Sequence, residues 1–351
     1  MLKYSLKRIL LALVTAFIIL TITFFLIKIK RPSEPPATNP GIVLSYYNTQ
    51  RLYGNVEMSL TPLTGFGDPI KTLTFDNNGI KTVYYIYEVP IYKQYIAWLT
   101  RIVTKWDWGK SAVIEPNSDA ISIIMDRLPV SFSINIISVV LSVPLGIIFG
   151  IIAGLKKNTW VDHTISTLVM IFISVPSFVV IIFLVYFLGY KAGLPTMWPT
   201  PDQANSTKAL AYIIPVMALS FGSVCGYTRF VRAELCEVMS SEYLLLARTK
   251  GLTKNQAITR HALRNAFVPI LPSILAEFIG VFSGSMILER IYQIPGIGDL
   301  YIKAVNQNNP DYNVLLVDMA IFTLVGLLAG IVLDLSYGFI DPRIRMGEKN
   351  A

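Results

Sequence analysis

Apolar residues in this chain come in long unbroken runs rather than in the alternation of a half-buried strand or the three-to-four spacing of a surface helix. Six runs, about 9 to 29, 131 to 154, 164 to 189, 211 to 231, 267 to 288 and 314 to 338, hold at most two charged residues each. Each reaches the roughly 20 residues an α-helix needs to cross a hydrocarbon core of about 30 Å. The pattern predicts an all-α polytopic membrane protein with six transmembrane helices. An even number of spans puts both termini on one side.

The polar stretch between the first two runs interrupts this scheme. "RPSEPPATNPG" reads as a Pro-rich linker. "KTLTFDNNGIKTVYYIYEV" reads as two β-rich runs joined by Asp76-Asn77-Asn78-Gly79, a hairpin turn. After Pro90 a helix is expected with Ile91, Tyr95, Trp98, Leu99, Ile102 and Trp106 on one stripe. Aromatics with flanking cations suit a helix lying flat at the membrane surface. Three parts follow: an anchor helix over 1–29, a β-rich extracellular insertion with its interfacial helix over 30–128, and a five-helix transmembrane core over 129–351 that includes the loop at 240–266.

Within the runs, Gly146, Gly150 and Gly154 recur at every fourth residue, as do Gly280 with Gly284 and Gly326 with Gly330. Such spacing lets helix backbones approach closely. Pro144, Pro176 and Pro215 are expected to kink their spans.

Composition agrees with the pattern: 53% of the 351 residues are hydrophobic and 15% charged, against roughly 25% charged in soluble domains. The formal charge of +8 raises nucleic-acid binding, but topology accounts for most of it. With the N-terminus cytoplasmic, Lys3, Lys7, Arg8, Lys156, Lys157, the basic residues from Arg232 to Arg264, and Arg343, Arg345 and Lys349 fall inside, while the short outer loops hold only Lys191, Lys208, Arg290 and Lys303. This is the positive-inside asymmetry. The first run exceeds a signal-peptide core and no A-x-A site follows, so it is read as an uncleaved anchor. Cys225 and Cys236 read as structural thiols, and His163 and His261 have no second ligand at metal spacing. "GKS" at 109–111 lacks the glycine at position 104 that a phosphate-binding loop requires.

The most distinctive polar stretch is "ARTKGLTKNQAITRHALRN", residues 247–265. Glu242 to Thr249 predicts a short helix. Gly251 suits a left-handed C-terminal position, and Thr253 with Gln256 forms a T-x-x-Q capping box that starts a second helix. Ala257, Ile258, Ala262 and Leu263 give that helix an apolar side, with Lys254, Arg260 and Arg264 elsewhere. Such a unit suits docking into a groove of a soluble partner; a loop that merely obeys the charge rule is the alternative.

This loop resembles the "EAA" loop of ABC importer permease subunits, with Leu245, Leu246 and Ala247 at the EAA positions, Gly251 at the glycine and His261 to Arg264 at the I-x-L-P positions. Ala247, Gly251 and Leu263 match literally. "QYIAWL" followed by "WDWGKS", "RLPVSFSIN", "LGIIFGIIAGLKKNTWVDH", "SVPSF", "ERIYQIPGIGDL" and "DPRIR" are similar to the oligopeptide and dipeptide branch of that family. Between about 30 and 90 the chain departs from the branch, with the β-rich module in place of a shorter helical segment.

The resemblance implies a pore-forming subunit in a prokaryotic plasma membrane, with both termini cytoplasmic, that pairs with a homologous second permease. It implies two cytoplasmic ATPases bound through a coupling loop at 240–266, with Glu242, Ala247, Gly251, His261 and Leu263 as coupling positions. It implies peptide delivered by an extracellular substrate-binding protein. No cofactor and no catalytic residue are expected in this chain, since ATP and Mg would sit in the ATPases. Relatives that carry nickel, glutathione or oligosaccharides keep the substrate open.

Ionisable and polar residues within the spans are costly and point to function. Asn135, Glu277, Ser283, Ser285 and Asp334 are candidates for lining a path, with structural hydrogen bonds or interhelical pairs as the alternative for Glu277 and Asp334. Glu289, near the end of the fifth run, reads as an interfacial structural residue. Two rival functions stand beside the importer: a secondary transporter driven by ions through Glu277 and Asp334, and a membrane sensor whose basic loop recruits a signalling protein.

Overall fold

The computed structural model describes residues 2–29, 34, 40–77, 80–306 and 310–340. Most of the Pro-rich linker, the hairpin positions Asn78 and Gly79, and the "DPRIR" signature lie outside the described residues.

In chain order the elements are α1 (Leu2–Ile29), α2 (Pro40–Leu52), β1 (Val56–Ser59), β2 (Lys71–Asn77), β3 (Ile80–Glu88), α3 (Ile91–Lys105), α4 (Ala120–Leu155), α5 (Trp160–Ser174), α6 (Ser177–Leu184) with a π-helical turn over Val185–Lys191, and α7 (Asn205–Ala211). There follow α8 (Ile213–Met239), α9 (Glu242–Thr249), α10 (Lys254–Ala257) continued by a π-helical turn over Ile258–Ala262, α11 (Leu263–Ala266), α12 (Ile270–Gly280), α13 (Met286–Tyr292), α14 (Ile297–Ala304) and α15 (Tyr312–Ile340). Among the described residues, four segments are long and apolar enough to span a bilayer: Leu6–Ile29, Ala120–Leu155, Asn205–Met239 and Tyr312–Ser336. Two bent pairs, Trp160–Ser174 with Ser177–Lys191 and Lys254–Ala266 with Ile270–Gly280, bring the number to six when each pair counts as one span.

The prolines act unequally. Val175, directly before Pro176, is extended (φ −83°, ψ 123°), as the ring of a following proline demands, and the pair bends there by 101°. Pro144 instead lies in the uninterrupted α4. Pro215 falls in the first turn of α8, where the missing N–H has no helical acceptor to lose. The fifth run also departs from expectation. Helix α12 ends at Gly280 and the chain is non-helical over 281–285 before α13 begins, so 267–288 is not one helix.

The chain divides into two compact units, one of residues 1–12, 128–299 and 324–351, the other of residues 13–127 and 300–323. In the second unit, the predicted hairpin pairs β2 with β3 in antiparallel register from Lys71↔Ile86 to Asn77↔Ile80. The pattern did not reveal β1, which pairs on the other edge of β3 to give the order β1-β3-β2, nor α2. Helix α2 lays Val43 and Tyr47 against Val56, Met58, Leu73 and Ile86 as a small core. Helix α3 is not free at a surface: Trp98 is buried, its ring 5.0 Å from that of Phe24, and the Tyr95 hydroxyl is 2.8 Å from Thr21 Oγ1 of α1. The apolar stripe stops short of Trp106, which takes a left-handed conformation (φ 54°) and is 64% exposed. The "GKS" turn is a staple. Ser111 Oγ donates to Asp311 at 2.6 Å, as do the N–H groups of Val113 and Ile114 at 3.1 and 3.2 Å.

In the first unit, the glycine stripe of α4 meets α8. A Cβ on Gly146 would come within 2.5 Å of Tyr227 Cβ, and one on Gly150 within 2.6 Å of Val231 Cβ and 2.9 Å of the Thr228 carbonyl. Only glycine permits that approach. Helix α5 is tied to α8 by Asp162, 1% exposed, which accepts from Arg232 Nε at 2.5 Å and Nη2 at 2.8 Å, from the Asn158 N–H at 2.9 Å and from Ser166 Oγ at 3.2 Å.

Candidate translocation and coupling sites

Three arrangements in the first unit bear on function. The first is a cavity of about 260 Å³ lined by Asn135, Ser138, Leu219, Ser223, Glu277, Gly280, Ser283 and Ser285. Four of the five sequence candidates for a path therefore meet at one place. Asn135 holds the wall together: its Nδ2 donates to the carbonyls of Val281 at 2.9 Å and Ser283 at 2.7 Å. These belong to the non-helical turn, whose carbonyls no helix satisfies. Glu277 is partly exposed, with the Tyr227 hydroxyl as its interaction partner. Gly222, Gly226 and Gly280 have no other atom within 4 Å of where a Cβ would stand, so this side of α8 and α12 is open backbone. Beside the aliphatic Val139, Leu219 and Val281, the small hydroxyls, the Asn135 amide, the open backbone and one carboxylate of this wall can hydrogen-bond main-chain groups.

Asp334 is the fifth candidate, and it lies elsewhere. Its Oδ2 is 2.9 Å from Arg8 Nη1, an interhelical pair rather than part of the cavity wall. It does not line the cavity that holds Glu277.

The second arrangement surrounds Glu289, 2% exposed. Its Oε1 accepts from Ser131 Oγ at 2.8 Å and the Ser285 N–H at 3.2 Å, and its Oε2 from the Asp299 N–H at 3.0 Å. Ser131 Oγ also accepts the Ile297 N–H at 3.0 Å. A Cβ on Gly296 would run into Ser131 Oγ and the Glu289 carboxylate, and one on Gly298 would stand 2.7 Å from the Met286 nitrogen. This is why "IPGIGDL" carries its glycines. Burial pushes the Glu289 carboxyl above its ordinary value, opposed by the backbone and Ser131 donors. The residue fastens α4, the turn before α13 and the start of α14, a structural role as its position in the sequence suggested.

The third arrangement is the basic loop. Helix α9 spans the expected residues, Gly251 is left-handed (φ +98°), and the Thr253–Gln256 capping box is formed in both directions. The apolar side of the second helix, however, turns inward. Ala257, Ala262 and Ala266 pack with Leu235 and Leu244, and Leu263 leans on the same cluster. It does not form a docking face; burial against α8 and α9 satisfies it first. The apolar surface left open belongs to α9, where Tyr243, Leu245 and Leu246 are 41%, 63% and 56% exposed. Glu242 and Gly251 are exposed, and Ala247, His261 and Leu263 partly so. Sequence reasoning missed Ser131, Asp162 and Arg232. Only Asp162 had a local signal, as the acid in the first turn of α5.

The family model described as "Binding-protein-dependent transport system inner membrane component" matches residues 146–346. The chain belongs to this family of membrane permease components. Among its relatives, the dipeptide transport system permease protein DppB of Lactococcus lactis is 32% identical over 348 residues, covering 99% of this chain and all of the relative. The oligopeptide transport system permease protein OppB is 30% identical in Haemophilus influenzae and 31% in Escherichia coli, each alignment covering 98% of this chain and all of the relative. Of solved structures, the inward-facing MetNI methionine ABC transporter matches 63% of this chain and 97% of that one, at 14% identity and a TM-score of 0.49.

Proposed function

We propose that this chain is one of two homologous pore-forming subunits of an ATP-driven importer of oligopeptides or dipeptides. Peptide, rather than nickel, glutathione or an oligosaccharide, is favoured by full-length relatives named as dipeptide and oligopeptide permeases. The observation that carries the reading is the open apolar patch of Tyr243, Leu245 and Leu246, set on a capped helix–glycine–helix unit. That unit leads directly, through the 52° bend, into α12 and the Glu277 wall of the cavity.

In this reading two cytoplasmic ATPases hold the patch and the cations around it, with Glu242, Ala247, Gly251, His261 and Leu263 shaping the lever. ATP and Mg belong to those partners, and the chain itself catalyses nothing. An extracellular binding protein delivers the peptide. Closure of the ATPases moves the docked unit as a rigid body, and α8 and α12 carry the movement to Asn135, Glu277, Ser283 and Ser285, which line the path with the second permease. The termini face the cytoplasm of a prokaryotic cell, and 30–128 lies outside.

The test is purification of the tagged chain from its native membrane beside the variant Leu245→Asp with Leu246→Asp, whose changed side chains are more than half exposed in the parent. The parent should bring down two ATPase chains and a second permease, and the variant should keep the permease and lose the ATPases. ATPases retained by the variant would refute the docking role. Peptide uptake into vesicles on an ion gradient without ATP would refute the importer.

A further inference from the structure

The second unit holds a cavity of about 320 Å³ that the transport reading does not use. It lies where α1, α2 and α3 converge, and its walls carry Lys28, Arg51, Lys93 and Arg101 against a single carboxylate, Glu57. Lys28 is buried, its Nζ donating to the Tyr53 carbonyl at 2.6 Å and to Asn55 Oδ1 at 2.8 Å. Lys93 Nζ stands 5.7 Å from the centre of the Phe66 ring. Among the described residues, no salt bridge involves Arg51, Lys93 or Arg101. Those three like charges around one small space repel one another, and an anion placed among them removes that cost.

The hydrogen bonding of the walls points the same way. Trp98 Nε1 and Arg101 Nε are buried donors with no partner, and Gln94 Oε1 is a buried acceptor with none. Trp98 and Gln94 are only 4% and 6% exposed. Buried polar atoms are rarely left unpaired, and each costs about 1–3 kcal/mol. Small rotations of Trp98 and Arg101 would turn both donors into the cavity, where a phosphate would accept from them and a headgroup hydroxyl would donate to Gln94.

Position selects the source of that phosphate. The first apolar span runs from Leu6 to Ile29, about 36 Å at 1.5 Å per residue, so Phe24 and Lys28 stand at its far end, at the depth of lipid headgroups. Trp108 packs edge-on against Trp98 in the middle of α3 and against Trp106 just past its end, and such aromatic groups are enriched at membrane interfaces. We propose that this cavity is a binding site for a phosphate group, supplied by the headgroup of an anionic glycerophospholipid and held by Arg51, Trp98 and Arg101.

The experiment uses the full complex in nanodiscs of phosphatidylcholine, with or without phosphatidylglycerol, and counts retained lipids by native mass spectrometry. The parent should retain phosphatidylglycerol. Arg51→Gln with Arg101→Gln, and separately Trp98→Phe, should weaken that retention by about tenfold or more, the worth of a hydrogen bond to a charged group. Arg101→Lys, which keeps the charge, should recover part of it, and Lys208→Gln, an exposed cation on another loop, should change nothing. In a second arm, inorganic phosphate is titrated into the complex in phosphatidylcholine alone while tryptophan fluorescence is followed. A response that depends on Arg51 and Arg101, with no preference for phosphatidylglycerol in the first arm, would keep the phosphate site and make free phosphate its source. Equal lipid retention by parent and variants, with no phosphate response, would overturn the proposal. If Trp98→Phe fails to assemble, the arginine variants decide the matter, since Arg51 is exposed and Arg101 partly so.

Discussion

Replacing Asp162 by Asn should loosen the first unit by an amount the geometry sets. The carboxylate accepts four hydrogen bonds, two of them from the Arg232 guanidinium at 2.5 and 2.8 Å. An amide keeps one acceptor oxygen and turns an NH₂ toward donors, so at least two bonds go and a donor faces a donor. Removing one member of a buried ion pair costs about 3–5 kcal/mol. The Arg232 side chain is 32% exposed, so water takes up part of its charge and the cost falls at the lower end, about 3 kcal/mol. At ~2–4 °C per kcal/mol for domains of 150–250 residues, that is a fall of about 6–12 °C in apparent unfolding temperature. The assay is thermal unfolding of the purified complex in lipid nanodiscs at one fixed scan rate, because unfolding of such proteins is irreversible. Arg232→Met alone should cost a similar amount. Asp162→Leu with Arg232→Met should lie within about 1 kcal/mol of the parent, because an apolar pair leaves no uncompensated charge. A single variant within a degree of the parent, or a double variant as unstable as the sum of the singles, would refute the coupling.

Two further outcomes follow from the other sites. Asn135→Ala strips the donors from the Val281 and Ser283 carbonyls; peptide uptake by the reconstituted complex should fall at least fivefold while ATPase binding stays intact, and unchanged uptake would show that the turn does not depend on this residue. For Glu289, burial raises the carboxyl above 4.5 in the folded protein, so the stability it contributes is full below that value and declines as pH rises through the raised one. The stability of the parent relative to Glu289→Gln should therefore decrease from about pH 4.5 upward; a difference that grows with pH in nanodisc melts would reverse the sign and place the ionised form as the one the site prefers.

Much of this molecule is legible from neighbouring residues alone. The six apolar runs, the β2–β3 hairpin, helix α9, the left-handed Gly251 and the Thr253 capping box were all readable from the sequence because the forces that form them act within a few residues: helical hydrogen bonds, turn sterics and caps. The Pro176 bend was readable for the same reason, since the ring constrains the residue directly before it. Tertiary structure decided what those elements do to one another. Local pattern gave Ala257 and Ala262 an apolar face, but only the fold shows that Leu235 and Leu244 cover it and leave Leu245 and Leu246 open. Asn135 and Glu277 were both suspect as polar residues in apolar runs, yet their meeting at one cavity depends on a turn at 281–285 whose carbonyls Asn135 satisfies from 146 and 148 residues away. Asp334 carried the same warning as Glu277 and proved to be the partner of Arg8. Composition states that a buried charge must be paired; which partner it takes is fixed by packing between segments that share no local signal, such as Asp162 with Arg232 and Ser111 with Asp311.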